Sequence, residues 1–281
     1  MFQIPPVVLT IAGFDPASGA GITADIKTIA AHGCYGVAAI SALTVQSTLG
    51  VRRVSPIQPQ LLTDTLDELK ADVKISAVHV GMLGSGEIAL TVARFLEKSK
   101  LPNVVLDPIL QSSSGTVLLN QAGVSVLKER LLPLATVVTP NVAEATALTG
   151  VPVENVDDMR QAARRLQEMG AQGVVVTGGH LERAIDLLAL KNGYVQIFKS
   201  NLLPSTNTHG TGCAFSTAIA CQLAQEKSLS TAVLLAKAYV TAAISSAYRV
   251  GKGTGPVNHM YQMKNHPRSA GRKKKLASGR S

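Results

Sequence analysis

Residues Asn207 to Ala220 read NTHGTGCAFSTAIA: two glycines flank a threonine, a cysteine follows at once, and Phe215, Ala218 and Ile219 then recur at helical spacing. Gly210 and Gly212 permit close approach of the backbone to a ligand, and the first N–H groups of a helix have no intrahelical acceptor. Such a nest of donors binds phosphate oxygens. A thiol at a helix N-terminus has its usual pKa, about 8.5, drawn towards neutrality by the helix dipole. Cys213 is therefore placed for acid–base work, although an inert cysteine sealing the helix start fits the same spacing.

Further polar groups stand where a ligand could meet them. Glycines recur at Gly13, Gly19 and Gly21 in GFDPASGAGITAD, at a spacing that matches neither the dinucleotide fingerprint nor the phosphate loop of nucleoside triphosphatases. Asp25 falls on the apolar stripe of Ile22, Ile26 and Ile29, where a carboxylate needs a partner; a first-turn aspartate favoured by the dipole is the alternative. Asp107 directly follows NVVL and precedes Pro108, so its carboxylate, at a sheet edge, can face a metal ion or a phosphate. Asn141 and Glu144 in TPNVAEATAL have the spacing of a helix capping box, and spacing alone favours the cap. Gln46 can be a turn residue, and His180 a solvated one.

These groups need a scaffold, and the remaining sequence has the pattern of one. Of 281 residues, 46% are apolar and 16% charged, which suits one large core. Runs rich in Val, Ile and Leu at 7–13, 37–45, 77–83, 104–110, 136–139 and 174–178 read as strands. Their nearly continuous apolarity is that of parallel strands covered on both faces. Helix-period segments at 22–31, 60–69, 87–98, 124–132, 142–148 and 157–169 alternate with them. AIDLLALKNGYVQIFKS predicts an antiparallel hairpin turning at Asn192 and Gly193, and helices over 214–225 and 231–248 close the body. The order predicts an α/β fold with a doubly wound, mostly parallel sheet and a ligand site beyond the carboxyl ends of the strands.

The net charge of +9 is unevenly spread: seven Lys and Arg lie beyond His259 without any Asp or Glu, leaving 20 basic against 18 acidic residues in the body. Residues 1–258 are expected to form one domain and residues 259–281 a basic, disordered tail. The chain has no Trp and few aromatic residues to stack on bases, which argues against a nucleic-acid partner. Cys34, Cys213 and Cys221 lack metal-ligand spacing and fit a reducing compartment, with Cys221 expected to pack in mid-helix. VVLTIAG is too short to span a membrane and lacks the basic flank of a secretory leader, so a cytoplasmic protein is expected.

In this order, IAGFDPASGAGITADIKT, GVAAISALTVQST, VHVGML, VVLDPIL, TPNVAEA, TGGHL, NTHGTGCAFS and GKGTGPVNH resemble the hydroxymethylpyrimidine/phosphomethylpyrimidine kinases of thiamine biosynthesis. These belong to the ribokinase-like superfamily, and the resemblance covers residues 8–259. It implies a ribokinase-like three-layer α/β/α fold, ATP-dependent phosphorylation of the pyrimidine and of its monophosphate, Mg²⁺ as cofactor and a homodimer. It further implies that Gly13, Asp25 and Gln46 meet the pyrimidine, with Met82 and Ile109 lining the pocket, while Asp107 and Glu144 hold Mg²⁺. Asn141, Thr177, Thr208, His209 and Thr211 would meet the nucleotide. Gly210 and Gly212 would stabilise the transferred group, and Cys213 would be the general base.

Three positions depart from the family pattern: Phe14 stands where many relatives have Ser, and Ser113 and Thr177 stand where Lys is usual. The two missing lysines remove positive charge that could meet phosphates. A pyridoxal or pyridoxine kinase of the same superfamily and a non-catalytic nucleotide-binding regulatory protein are the competing readings. The missing dinucleotide fingerprint disfavours a Rossmann oxidoreductase.

Overall fold

A computed structural model describes residues 4–179, 184–201 and 203–263. His180 and the basic run from Lys264 onward lie outside the described residues. Among the described residues, nine strands form one sheet: β1 (Val7–Phe14), β2 (Tyr35–Ser47), β3 (Gly50–Pro56), β4 (Ile75–Val80), β5 (Val104–Leu106), β6 (Val137–Val138), β7 (Gly173–Gly178), β8 (Ala184–Leu190) and β9 (Val195–Ser200). Their spatial order is β3-β2-β1-β4-β5-β6-β7-β8-β9. Strands β2, β1, β4, β5, β6 and β7 run parallel, with β3 antiparallel at one edge and the β8–β9 hairpin at the other. The helices are α1 (Gly21–Ala31), α2 (Pro59–Asp72), α3 (Gly86–Ser99), α4 (Gln121–Val126), α5 (Val142–Thr149), α6 (Val156–Glu168), α7 (Thr211–Ala224) and α8 (Leu229–Ser245).

Successive strand residues belong to different cores, which is why their runs show no polar alternation. Leu9, Val78, Leu106, Val138 and Val176 pack with Leu62 of α2, Val92 of α3 and Leu166 of α6. Val8, Ala77, Val105, Val137 and Val175 pack with Ile29 of α1, Ala218 and Ile219 of α7 and Ala236 of α8. The chain is thus the expected three-layer α/β/α sandwich. From Ala214 to Ala224 every residue of α7 is buried, so this helix has no solvent face, and its N-terminus alone meets a ligand space.

Three features differ from expectation. The helix expected over 124–132 divides into α4, a π turn at Leu127–Leu131 and a 3-10 turn at Leu132–Leu134, where Pro133 cannot supply an N–H. The apolar pattern does not predict β3, because Arg52 and Arg53 are exposed on it, and charge on a sheet edge masks the apolar signal while blocking unwanted pairing. The body also continues past residue 258. His259 is buried, its carbonyl accepts a hydrogen bond from the Tyr239 hydroxyl at 2.7 Å, and Tyr261 lies 5.7 Å from the Tyr239 ring. Tyr239 thus anchors the start of the segment expected to be a tail.

Leu166 is fully buried where α6 covers the sheet. Leu166→Ala is expected to cost about 2–5 kcal/mol through the cavity it leaves. A urea midpoint unchanged from wild type would contradict that packing.

Candidate active site

A cavity of about 1060 Å³ lies across the carboxyl ends of the strands, at the upper end of the range of roughly 300–1,000 Å³ for small-molecule pockets. Every site residue expected from the sequence lines it except Asp25. The residues follow strand order: Gly13 on β1 and Gln46 on β2, Met82 after β4, Asp107 after β5, Asn141 and Glu144 after β6, and Thr177 on β7. Neighbouring strands are about 4.8 Å apart, so the topology spreads these groups in a line instead of clustering them.

Two glycine-bearing loops form one end of the cavity. A Cβ at Gly13 would lie 2.2 Å from Met82 Cε, and one at Gly210, where φ is +82°, would lie 1.7 Å from the Gly19 carbonyl oxygen. The Gly210 approach, against backbone and at positive φ, tolerates no side chain, whereas at Gly13 the end of the Met82 side chain would have to move. Asp15 organises the first loop by accepting the N–H groups of Ala17 at 2.8 Å, Gly19 at 3.1 Å and Ala20 at 2.9 Å. Its other partner is His209 Nε2 at 2.9 Å. Burial raises the Asp15 pKa, but His209 and the loop amides outweigh it and leave the carboxyl below its ordinary value. His209 Nε2 also lies 3.3 Å from Gln46 Nε2. His209, expected to meet the nucleotide, is thus tied to Asp15 and Gln46.

Gly210 caps α7 without any side-chain hydrogen bond, and the N–H groups of Gly212 and Cys213 have no acceptor among the described residues. Asp107 Oδ2 stands 3.9 Å from where a Gly212 Cβ would be. The expected nest of donors is present. The expected thiolate is not. Cys213 lines the cavity, but burial, then the charges of Asp107 and Asp25, push its thiol well above the ordinary value, against a weaker pull from the Gly21 N–H.

Asn141 and Glu144 do form the capping box of α5: Asn141 Oδ1 accepts the Glu144 N–H at 2.9 Å and Glu144 Oε2 accepts the Asn141 N–H at 3.0 Å. Glu144 nevertheless lines the cavity, so cap and site are the same residue. Burial and the Asp107 charge push its carboxyl up to about 8. Burial likewise pushes Asp107 up to about 6, against His79 and a hydrogen bond from Ser216. Two buried hard-oxygen groups raised in this way suit a divalent cation. Among the described residues no three His, Cys, Asp or Glu side chains converge as a metal site, so such a cation would retain water or phosphate oxygens, as Mg²⁺ does.

Asp25 is fully buried and off the cavity wall. Its oxygens accept the hydroxyls of Thr10 at 2.7 Å and Thr217 at 2.9 Å, and His79 Nδ1 lies 3.4 Å away. The apolar stripe signals a buried partner, and α7, packed against α1, supplies one in Thr217. Sequence reasoning missed Asp15, His79, Ser216 and the pair Lys237–Asp186. Lys237 Nζ meets Asp186 Oδ2 at 2.5 Å, and Lys237 is the single Lys or Arg among the described residues lining the cavity. Asp186 is the cross-strand partner of Thr177. Positive charge absent at Thr177 thus enters from α8, and a lysine interrupting the apolar run AVLLAKAYV was its signal.

A family model described as phosphomethylpyrimidine kinase matches residues 15–258. The thiamine biosynthesis bifunctional protein ThiED of Geobacter sulfurreducens is 44% identical over 90% of this chain, which spans 52% of that longer protein. The hydroxymethylpyrimidine/phosphomethylpyrimidine kinase of Haemophilus influenzae is 42% identical, over 90% of this chain and 96% of its own length. Among solved structures, the pyridoxal kinase from Staphylococcus aureus in complex with AMP-PCP and pyridoxal superposes with a TM-score of 0.84 at 31% identity, covering 92% of this chain and 96% of that one.

The raised Glu144 carboxyl has a consequence for folding. Between its ordinary value of 4.5 and about 8 the folded chain binds a proton that the unfolded chain releases, so this group's contribution to stability falls as pH rises through that window. Glu144→Gln keeps the cap and removes the titration. The variant is expected to gain on wild type in urea midpoint between about pH 5 and pH 8; parallel curves would refute the assignment.

Proposed function

The chain belongs to the phosphomethylpyrimidine kinase family and is a hydroxymethylpyrimidine/phosphomethylpyrimidine kinase; we propose that it transfers the γ-phosphoryl group of ATP at the N-terminus of α7. The observation that carries this reading is the pair of N–H groups at Gly212 and Cys213 that find no acceptor among the described residues, in a cavity they share with Asp107. The pyrimidine would sit at the Gly13 and Gln46 end, where the Gln46 amide offers both a donor and an acceptor to an aminopyrimidine edge. Met82 and Ile109 give its ring an apolar wall. ATP would lie towards Asn141, Thr177 and Lys237, with Thr208 and Thr211 beside its phosphates.

Asp107 and Glu144 would hold Mg²⁺, which when bound offsets the phosphate charge. The Gly212 and Cys213 amides bind the transferred group where charge spreads over its oxygens. Phosphoryl transfer is largely dissociative, so the hydroxymethyl oxygen needs little activation early on, and positioning contributes more than the base. A thiol held protonated is no base. Cys213 can take the hydroxyl proton only once the neighbouring carboxylate charge is compensated.

A second reading, pyridoxal phosphorylation, is supported by the likeness to the Staphylococcus aureus pyridoxal kinase and by an apolar wall that suits either ring. We further propose a homodimer in a cytoplasmic setting. Leu43, Val45 and Leu49 are exposed on or beside β2 and supply an apolar face for a second copy; a monomer in sedimentation velocity would overturn the dimer. The three cysteines are free, and no helix among the described residues is long and apolar enough to cross a membrane.

ADP release from Mg-ATP with hydroxymethylpyrimidine, its monophosphate or pyridoxal tests the reading. Turnover is expected with the first two; ADP release with pyridoxal alone would favour the second reading, and none with any would favour a non-catalytic binder. Cys213→Ala is expected to lower kcat about 10²- to 10⁴-fold. Undiminished turnover would remove the thiol from the reaction.

A further inference from the structure

Between the sheet and helices α1 and α7 runs a buried chain of polar groups for which the transfer has no evident use. Thr10 on β1 and His79 on β4 are register partners, and both are fully buried together with Asp25 and Ser216. His79 Nδ1 lies 3.2 Å from Thr10 Oγ1 and 3.4 Å from Asp25 Oδ2. On the other side of the ring, Nε2 lies 2.9 Å from Ser216 Oγ, and Ser216 Oγ lies 3.1 Å from Asp107 Oδ2. The chain therefore links a fully buried carboxylate of α1 to the one that faces the cavity.

Counting protons gives the chain a direction. The Thr10 hydroxyl has one proton and gives it to Asp25 at 2.7 Å, so its oxygen can only accept from His79 Nδ1. Ser216 also has one proton, with Asp107 and the carbonyls of Gly212 at 3.0 Å and Cys213 at 3.2 Å competing for it. A bare Nε2 would draw that proton to the ring and deprive Asp107 of it. A protonated Nε2 instead donates to Ser216 and leaves the hydroxyl proton for Asp107. Burial lowers the His79 pKa, but the charges of Asp25 and Asp107 and the Asp25 contact outweigh it and raise the ring above its ordinary value.

We propose that His79 is a positioning residue for phosphoryl transfer: with protons on both ring nitrogens it makes Ser216 a donor to Asp107 and so orients the carboxylate beside the Gly212 and Cys213 amides. Asp25 serves as the counter-charge that keeps the ring in this state. The inference rests on Asp107 acting in the transfer.

Two measurements test it. In ¹⁵N NMR of the ligand-free protein at neutral pH, the His79 ring, identified by the shift that Ser216→Ala produces, is expected to show protons on both nitrogens. A ring carrying one proton, on Nδ1, would overturn the proposal whether or not the chain is an active kinase. In steady-state kinetics, Ser216→Ala and His79→Gln are each expected to lose about 10- to 100-fold in kcat, the usual cost of removing an outer-shell partner, with KM for the pyrimidine unchanged. The double variant should be no slower than the slower single one, because the two residues act in series. Multiplied losses, or a rise in KM alone, would overturn it. Should His79→Gln fail to fold, Ser216→Ala and the wild-type ring decide: wild-type kcat in Ser216→Ala would count against the proposal.

Discussion

Negative charge buried at the carboxyl end of a parallel sheet is the constraint on which the site depends. Asp107 and Glu144 reach the same cavity wall, and Asp25 lies a short hydrogen-bonded chain behind them. Among the described residues lining the cavity, the groups that oppose them are the amides that open α7 and Lys237, already paired with Asp186. Burial is the first cause of the raised carboxyls and of the raised Cys213 thiol, and at Glu144 and Cys213 the neighbouring Asp107 charge adds to it. A site held in this condition favours ligands that bring cations with them, and a metal-bound polyphosphate is such a ligand.

The packing that brings these charges together is of two kinds. Strand residues facing opposite layers fix the sheet, and its parallel order sets the polar groups out one strand at a time. The loops then close by backbone contact. Gly210 lies against the Gly19 carbonyl, and His209 pairs through its backbone with Gly255 and Val257, so the segment after α8 braces the turn into α7. The late GKGTGPVNH stretch is thereby part of the frame of the site, although it contributes little to the cavity wall.

Much of this was legible in the sequence, and the failures have physical causes. Continuous apolar runs disclosed the parallel strands because each is buried on both faces. Gly210 disclosed the turn into the nest because only glycine allows its positive φ and its approach to the Gly19 carbonyl. Local pattern reports neither how deeply a side chain is buried nor which charges meet across the fold, so the direction of the Cys213 shift is set first by burial and then by Asp107, more than a hundred residues away in sequence. The apolar stripe shows that Asp25 needs a partner but not which one, since Thr217 comes from α7, nearly two hundred residues away. His79 sat unnoticed in VHVGML, because a single histidine in an apolar strand carries no sign of the two carboxylates it will join.

The coincidence of the α5 cap with the cavity wall ties two selective demands to one set of atoms. At Asn141 and Glu144, the atoms that close the first turn of the helix are those that would meet a cation and a nucleotide. Genetic drift at either position is therefore filtered twice, and a change tolerable to folding can still be eliminated by chemistry. Such residues make poor starting points for evolving a new substrate range, whereas the Gln46 end, supported by separate loops, leaves that freedom open.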